Sequence, residues 1–157
     1  MAYFPLFVNL ENSRILIVGG GNIAERRTRA ILPFAGKAVI VAKELTESFE
    51  SFINSEEAVG KTEVILRAFE ENDVYGMRLV LACTDDLVIN KTITKISRDK
   101  GIPANNCSDK NDCDFYFPGL IYKEPFTVGF TASGEAHKLV KEIREKTEAV
   151  IDEVLKK

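Results

Sequence analysis

Short unbroken apolar runs alternate with longer stretches in which apolar residues recur every three or four positions, through roughly the first two thirds of the chain. The first run, Arg14 to Val18 (RILIV), is rich in β-branched residues, which is how a strand buried on both faces of a parallel sheet reads. It runs directly into Gly19-Gly20-Gly21. From Asn22 to Phe34, apolar Ile23, Ala24, Ala30 and Ile31 are interleaved with Glu25, Arg26, Arg27 and Arg29, which predicts an amphipathic helix, and Gly36 follows it.

The alternation continues. Ala38 to Ala42 predicts a second strand, Leu45 to Ile53 a polar amphipathic stretch, and Thr62 to Leu66 a third strand. Asp73 to Tyr75 reads as a short helical turn, Arg78 to Cys83 as a fourth strand, Leu87 to Lys100 as a helix, and Ile102 to Cys107 as a fifth strand. Strands alternating with helices at this spacing imply right-handed crossovers over a mostly parallel sheet, because each connection must carry the chain back across one face. The expected fold is α/β and Rossmann-like, with helices on both faces of the sheet.

From Phe115 the character changes. FYFPGLIYKEPFTVGFTA reads as two short strands around a turn at Lys123 to Pro125, and Glu135 to Lys157 as a long helix carrying Leu139, Val140, Ile143, Val150, Ile151, Val154 and Leu155. The expected organisation is therefore a Rossmann domain over residues 1–114, then a hairpin-plus-helix segment over 115–157 that docks on its own domain or on a second subunit.

Length and charge narrow the function. A chain of 157 residues, 45% hydrophobic and 29% charged, supports one substantial core. Its net charge of -3 argues against a general nucleic-acid binder, which needs a basic excess. Cys83, Cys107 and Cys113 form no CxxC pair, so neither a disulfide framework nor a metal ribbon is indicated, and no metal is expected. The opening MAYFPLFVNLENS lacks a basic stretch before its apolar residues, and no apolar run is long enough to span a membrane. A soluble, cytoplasmic protein with reduced thiols is expected.

The chemistry centres on Gly19-Gly20-Gly21-Asn22-Ile23-Ala24, a GxGxxA pattern lying directly after a buried strand and before a helix. Glycines there permit a tight turn and let backbone N–H groups approach a pyrophosphate, which the positive end of the helix stabilises. Gly19, Gly21, Asn22 and Ile23 are the candidate cofactor loop. An acid at the end of the second strand usually bonds the ribose hydroxyls of NAD; here that region reads Lys43-Glu44-Leu45, with Glu44 slightly late and Lys43 able to meet a phosphate instead, so NAD is favoured over NADP. Thr84, after the fourth strand, is a further candidate cofactor contact, while Asp85 and Asp86 suit the cap of the next helix.

Together these residues resemble the precorrin-2 dehydrogenase and sirohydrochlorin ferrochelatase family, which includes the N-terminal module of siroheme synthase. The likeness spans FPLFVNLENSRILIVGGGNIAERRTRAIL, LVLACTDDLVINKTI, GIPANNCSDKNDCDFYFPGLI and FTVGFTASGEAHKLVKEIREK, in the family's order. It implies an NAD-linked oxidation of precorrin-2 to sirohydrochlorin, on the route to siroheme, by a homodimer joined through the segment after the Rossmann domain. It also leaves open a second activity, iron insertion, and a non-catalytic module that binds NAD or tetrapyrrole without turnover.

The resemblance places Glu44 and Leu45 at the adenosine ribose and a catalytic aspartate in the stretch Asn105 to Lys110. Counting without a gap from Cys113-Asp114-Phe115 gives Ser108; matching the local Asp-Lys pattern gives Asp109, which is preferred because a carboxylate accepts the proton released with hydride and an unassisted serine does not. Ser108, Thr131, Ser133 and Lys138 are the candidate substrate contacts. The chain departs from the family where Ala132 to His137 replaces a Gly-Gly or Asn-Gly turn followed by Ser-Pro, and in stopping at Lys157 where many members continue, which weighs against chelatase activity. His137, the single histidine, reads as a surface residue near a helix start. Lys138, Lys141 and Arg144, with Arg26, Arg27 and Arg29, read either as a solvated charged face or as an offset to a polycarboxylate substrate.

Overall fold

The structure, a computed structural model, describes residues 4–132 and 135–156. They divide into two compact units, one running from Val8 to Phe115 and the other formed by residues 4–7 and 116–156. Each is described by itself.

The larger unit holds a five-stranded parallel sheet of β1 (Arg14–Val18), β2 (Lys37–Ala42), β3 (Thr62–Leu66), β4 (Leu79–Ala82) and β5 (Ala104–Asn106), in the order β3-β2-β1-β4-β5. Helices α1 (Asn22–Ile31), α2 (Glu47–Ile53) and α3 (Leu87–Asp99) make the crossovers, with a short 3₁₀ turn at Glu71–Val74. This order reverses direction between β1 and β4, where an open α/β sheet forms its ligand crevice. The Rossmann-like fold class expected from the sequence is the one observed.

Why the strands read as continuous apolar runs is visible in their burial. Ile15, Leu16, Ile17 and Val18 are all buried although they alternate between the two sheet faces, because both faces are covered. Leu16, Val18, Val39, Val41, Val80 and Ala82 pack on one side with Val74 of the 3₁₀ turn and Ile93 of α3. Phe49 and Phe52 of α2 are fully buried, their rings 6.5 Å apart. Each such side chain contributes about 1.5–3 kcal/mol by leaving water.

Element limits differ from the sequence expectation in ways with local causes. Helix α1 stops at Ile31 rather than near Phe34, because Pro33 cannot donate the hydrogen bond that the next turn needs. Strand β5 shortens from Ile102–Cys107 to Ala104–Asn106, and its partner on the outer side is the chain's own continuation. Asn105 forms an antiparallel bridge with Cys113, Asp114 N donates to Ala104 O at 2.9 Å, and Asn105 Nδ2 donates to Phe115 O at 2.8 Å.

In the smaller unit, β6 (Gly119–Lys123) and β7 (Phe126–Phe130) form an antiparallel hairpin, and α4 (His137–Leu155) follows. A Cβ on Gly119 would meet Val140 Cγ1 at 3.2 Å, which marks how closely α4 lies on β6. Lys123 reaches Glu148 and Asp152 of α4, and those two carboxylates, Asp152 first, hold its ammonium above the usual lysine range. Helix α4 buries none of its residues in this chain, and Leu139, Ile143, Val150, Val154 and Leu155 are exposed. Among the described residues, no helix is long and apolar enough to cross a membrane.

Candidate functional site

A cleft of about 590 Å³ opens beyond the carboxyl ends of β1, β2, β3 and β4. Its floor is the glycine loop Gly19-Gly20-Gly21, its sides Lys43, Glu44, Leu45 and Thr46 after β2, Arg67, Ala68 and Phe69 after β3, and Cys83 to Asp86 after β4.

Each glycine does a different thing. Gly19 adopts φ of +130°, a conformation that side chains rarely tolerate, and a Cβ there would sit 2.5 Å from Cys83 O. A Cβ on Gly20 would fall 1.8 Å from Glu44 O, so the loop rests directly on the backbone following β2. Thr46 N donates to Gly20 O at 2.9 Å and stitches the two loops together. Around Gly21 the picture inverts, since an added Cβ would meet nothing within 4 Å. Gly21 is the N-cap of α1, no side chain caps that helix, and Gly21 and Ile23 line the cleft, so the uncapped end of the helix borders it. A bare, concave donor array at a helix N-terminus fits a pyrophosphate.

The charges around the cleft are asymmetric. Lys43 and Glu44 are both exposed on its rim. Arg67 is drawn aside: its two terminal nitrogens donate to the Asp73 carboxylate at 2.6 and 2.8 Å. That pairing raises the guanidinium further above its usual range and holds the Asp73 carboxyl below the usual carboxylate range, chiefly through the same hydrogen bonds.

Thr84 is fixed by Asn90, a fully buried amide on α3. Thr84 Oγ1 donates to Asn90 Oδ1 at 2.7 Å, Thr84 N donates to the same oxygen at 3.1 Å, and Asn90 Nδ2 donates back to Thr84 O at 2.9 Å. Asp86 caps α3 by accepting from Val88 N and Ile89 N at 2.8 and 3.0 Å, the capping role open to it in the sequence. Asn90 Nδ2 also donates to Ser108 Oγ at 3.1 Å, and Ser108 Oγ donates to Asn106 Oδ1 at 2.6 Å. The chain of bonds goes on from Asn106 Nδ2 to Asp112 at 2.9 Å, with Thr94 and Arg98 also donating to Asp112. Burial opposes the charge on Asp112, yet the hydrogen bonds from Asn106, Arg98 and Thr94 outweigh it and lower its pKa.

The structure treats the sequence candidates unequally. Gly19, Gly21, Ile23, Lys43, Glu44, Leu45 and Thr84 all line the cleft, and Asn22 begins α1 beside it. Ser108 and Asp109 are not among the lining residues; Ser108 is linked through Asn90 to Thr84, which is, whereas Asp109 Oδ1 accepts from Asn111 N at 3.0 Å in a turn. Thr131 and Lys138 are exposed in the smaller unit, after β7 and near the start of α4, and Ser133 lies outside the described residues. His137 is exposed at the first position of α4. Arg29 is occupied by Glu25 at 2.8 Å and by the Phe52 ring, 3.8 Å from its centroid, while Lys141 and Arg144 face Glu145 and Glu148 on their own helix.

Arg67 and Asn90 escaped the sequence reading. Arg67 is the first residue after β3, and the general rule that ligands bind beyond strand carboxyl ends marks that position. Asn90 is a polar residue on the apolar face of LVINKTITKI, a position that only a satisfied amide can hold.

A parallel sheet of this order, a glycine turn and an uncapped helix opening on a cleft define a dinucleotide-binding Rossmann protein. Residues 6–119 match the family model described as "Putative NAD(P)-binding", and the chain belongs to that family. The cofactor class is thus the one expected from the sequence. Over 151 residues the chain is 35% identical to the siroheme synthase of Actinobacillus pleuropneumoniae serotype 3 (strain JL03), covering 96% of this chain and 30% of that protein. It is 35% identical over 152 residues to the siroheme synthase of Pseudomonas entomophila (strain L48), covering 96% of this chain and 32% of that one. The chain therefore spans about a third of the length of these relatives. A solved structure titled "SirC, precorrin-2 dehydrogenase" superposes with a TM-score of 0.75 at 24% identity, covering 94% of this chain and 70% of that chain, and has the same fold. These relatives are the ones that the motifs around the glycine loop, Thr84 and Cys113 resemble.

Proposed function

We propose that this chain oxidises precorrin-2 to sirohydrochlorin with NAD as the acceptor, on the route to siroheme. The observation that carries the reading is the open donor array at Gly21 and the N-terminus of α1, set at the switch point of a sheet whose sequence relatives are siroheme synthases. NAD held there would supply the hydride acceptor for the oxidation.

The chain's own residues account for the rest. Amides of Gly21, Asn22 and Ile23 hold the pyrophosphate, and Gly19 and Gly20 keep the loop flat enough for it to approach. Glu44 accepts from the ribose hydroxyls with Leu45 beside them. Because Arg67 is neutralised by Asp73, Lys43 is, among the described residues lining the cleft, the cation left to meet a 2′-phosphate, with Glu44 next to it repelling one, so NAD is the preferred form. Thr84 walls the cleft with its hydroxyl turned to Asn90. Asp109 accepts the proton that leaves with the hydride: Oδ1 is used by the turn, and Oδ2 is the oxygen for this step. Ser108, Thr131, Ser133 and Lys138 meet substrate carboxylates, the chain acts as a homodimer, and its setting is the cytoplasm.

A second reading, a module that binds NAD or tetrapyrrole without turnover, is favoured by the absence of Asp109 from the cleft lining. One assay separates them. Purified protein is given NAD and enzymatically made precorrin-2 without oxygen, and nicotinamide absorbance is followed. Stoichiometric NADH is expected; NAD binding with no NADH leaves the binding module. Iron uptake by added sirohydrochlorin tests the bifunctional alternative.

A further inference from the structure

Two thiols stand together behind the glycine loop. Cys83 follows β4 and Cys107 follows β5, one step past the paired residues Ala82 and Asn106, and their Sγ atoms are 3.0 Å apart. Cys107 N donates to Ala82 O at 2.9 Å, so the strand ladder itself holds the pair side by side. Cys83 is buried and lines the cleft, with its carbonyl against Gly19; Cys107 is half-buried and reachable from solvent. We propose that Cys83 and Cys107 form a reversible disulfide by exchange with a small-molecule disulfide, with Cys107 as the attacking thiol, and that closing the bond weakens dinucleotide binding.

The two sulfurs differ in the way exchange requires. A hydrogen bond from the Cys83 thiol, together with the nearby Arg27 and Arg26 charges, lowers the Cys107 pKa to about 7 against the burial that opposes it. Cys83 is pushed up, first by that same hydrogen bond and then by burial, so it stays protonated while Cys107 is free. The Cys107 thiolate attacks one sulfur of the external disulfide and expels the other as a thiolate. With the charge on Cys107 gone, the main cause holding the Cys83 proton is gone as well. Cys83 then loses its proton to the expelled thiolate, and its sulfur attacks Cys107 Sγ, releasing the second external thiolate, which takes a proton from water. Two protein thiols and one external disulfide become one protein disulfide and two external thiols, two electrons passing outward.

Cys113 is the internal comparison. Its thiol donates to Asn106 O at 3.3 Å and to Asp109 O at 3.4 Å, and burial raises its pKa. The link to the cleft is mechanical. The Cys83 carbonyl lies against Gly19, so a covalent tie between Cys83 and Cys107 acts on the peptide that the glycine loop rests on.

Reduced full-length protein is incubated with oxidised glutathione, digested and mapped by mass spectrometry, and NAD affinity is measured before oxidation, after it, and after dithiothreitol. The expected result is a Cys83–Cys107 linked peptide with Cys113 free, a severalfold rise in the NAD Kd, and recovery on reduction. Cys113→Ser should leave all of this unchanged, whereas Cys107→Ala and Cys83→Ala should each abolish the link, only Cys83→Ala retaining a glutathione adduct at Cys107. A stable adduct at Cys107 in the unsubstituted protein, a link to Cys113, no reaction, or a link with unaltered NAD affinity would each overturn the proposal.

Discussion

Gly20 and Glu44 touch through backbone alone: a Cβ on the glycine would lie 1.8 Å from the glutamate carbonyl oxygen. The glycine loop and the loop after β2, to which the proposed function assigns the pyrophosphate and the adjoining ribose, are thus one packed unit.

That contact separates two neighbouring glycines by experiment. Gly20→Ala must push the Glu44 peptide away, and a destabilisation of about 1–3 kcal/mol is expected from the overpacking, with NAD binding lost. Gly21→Ala meets open space and should leave stability within about 1 kcal/mol while still weakening NAD, because its methyl enters the side from which the pyrophosphate arrives. Thermal melts and titration calorimetry on both variants check this; equal stability loss in the two would count against the assigned packing.

Arg67 and Asp73 give a test of cofactor choice. Asp73→Asn removes the charge that neutralises Arg67, so affinity for NADP should rise relative to NAD. No change in the NADP to NAD ratio would mean that the guanidinium does not reach the ribose rim.

The same pair, with Asp112, sets an acid limit on stability. Both carboxyls titrate below their ordinary value in the folded chain. The stability they add is therefore present above the unfolded value of about 3.9 and is lost as pH falls through the depressed folded values. Urea melts from pH 6 downward should steepen below about pH 4, and Asp73→Asn combined with Asp112→Asn should remove much of that dependence.

Asn90 is a buried amide behind the cleft, bonded to Thr84 of its lining and to Ser108. Asn90→Ala removes the partner of the Thr84 carbonyl and of the Thr84 N–H, for an expected cost of about 1–3 kcal/mol, and weakens NAD by releasing the loop after β4. Asn90→Leu should bind NAD no better, although it fills the space; recovery of affinity would show that volume, not hydrogen bonding, positions Thr84.

For Asp109 the conservative change is the informative one. Asn at this position keeps the turn acceptor that Asn111 N uses, so Asp109→Asn should fold and bind NAD normally. Turnover should fall about 10²–10⁴-fold, while Ser108→Ala should fall little. The reverse result would move the proton acceptor to the gap-free register.

The sheet was readable because its chemistry is local and periodic. Arg14–Val18 and Thr62–Leu66 could be bounded to the residue: the central β1 is covered on both faces and is apolar from Ile15 to Val18, while the half-buried edge strand β3 is marked by its β-branched residues. The glycine loop was readable for the same reason: Gly19, Gly21 and Ile23 follow a buried strand and open a helix. The ends of β5 and the partners of Asn90 were not. They depend on particular pairings that residue type and periodicity do not specify: Asn105 with Cys113 and Ala104 with Asp114 beside β5, and Asn90 with Thr84, 6 positions away, and Ser108, 18 positions away. Arg67 lay in between, since its position was marked but its pairing with Asp73 was not.

Strand β5 lies at the rim of the sheet, where unpaired main-chain groups invite another chain to add itself. Its outer flank is instead occupied by the loop that follows, through Cys113, Asp114 and Phe115, and the Asp114 side chain also accepts from Ala104 N at 2.8 Å. The rim is sealed by a segment rich in charge and hydrogen-bonding groups rather than by a flat apolar strand. Protein in which this loop is cut or shortened should accordingly self-associate along β5 before its centre unfolds.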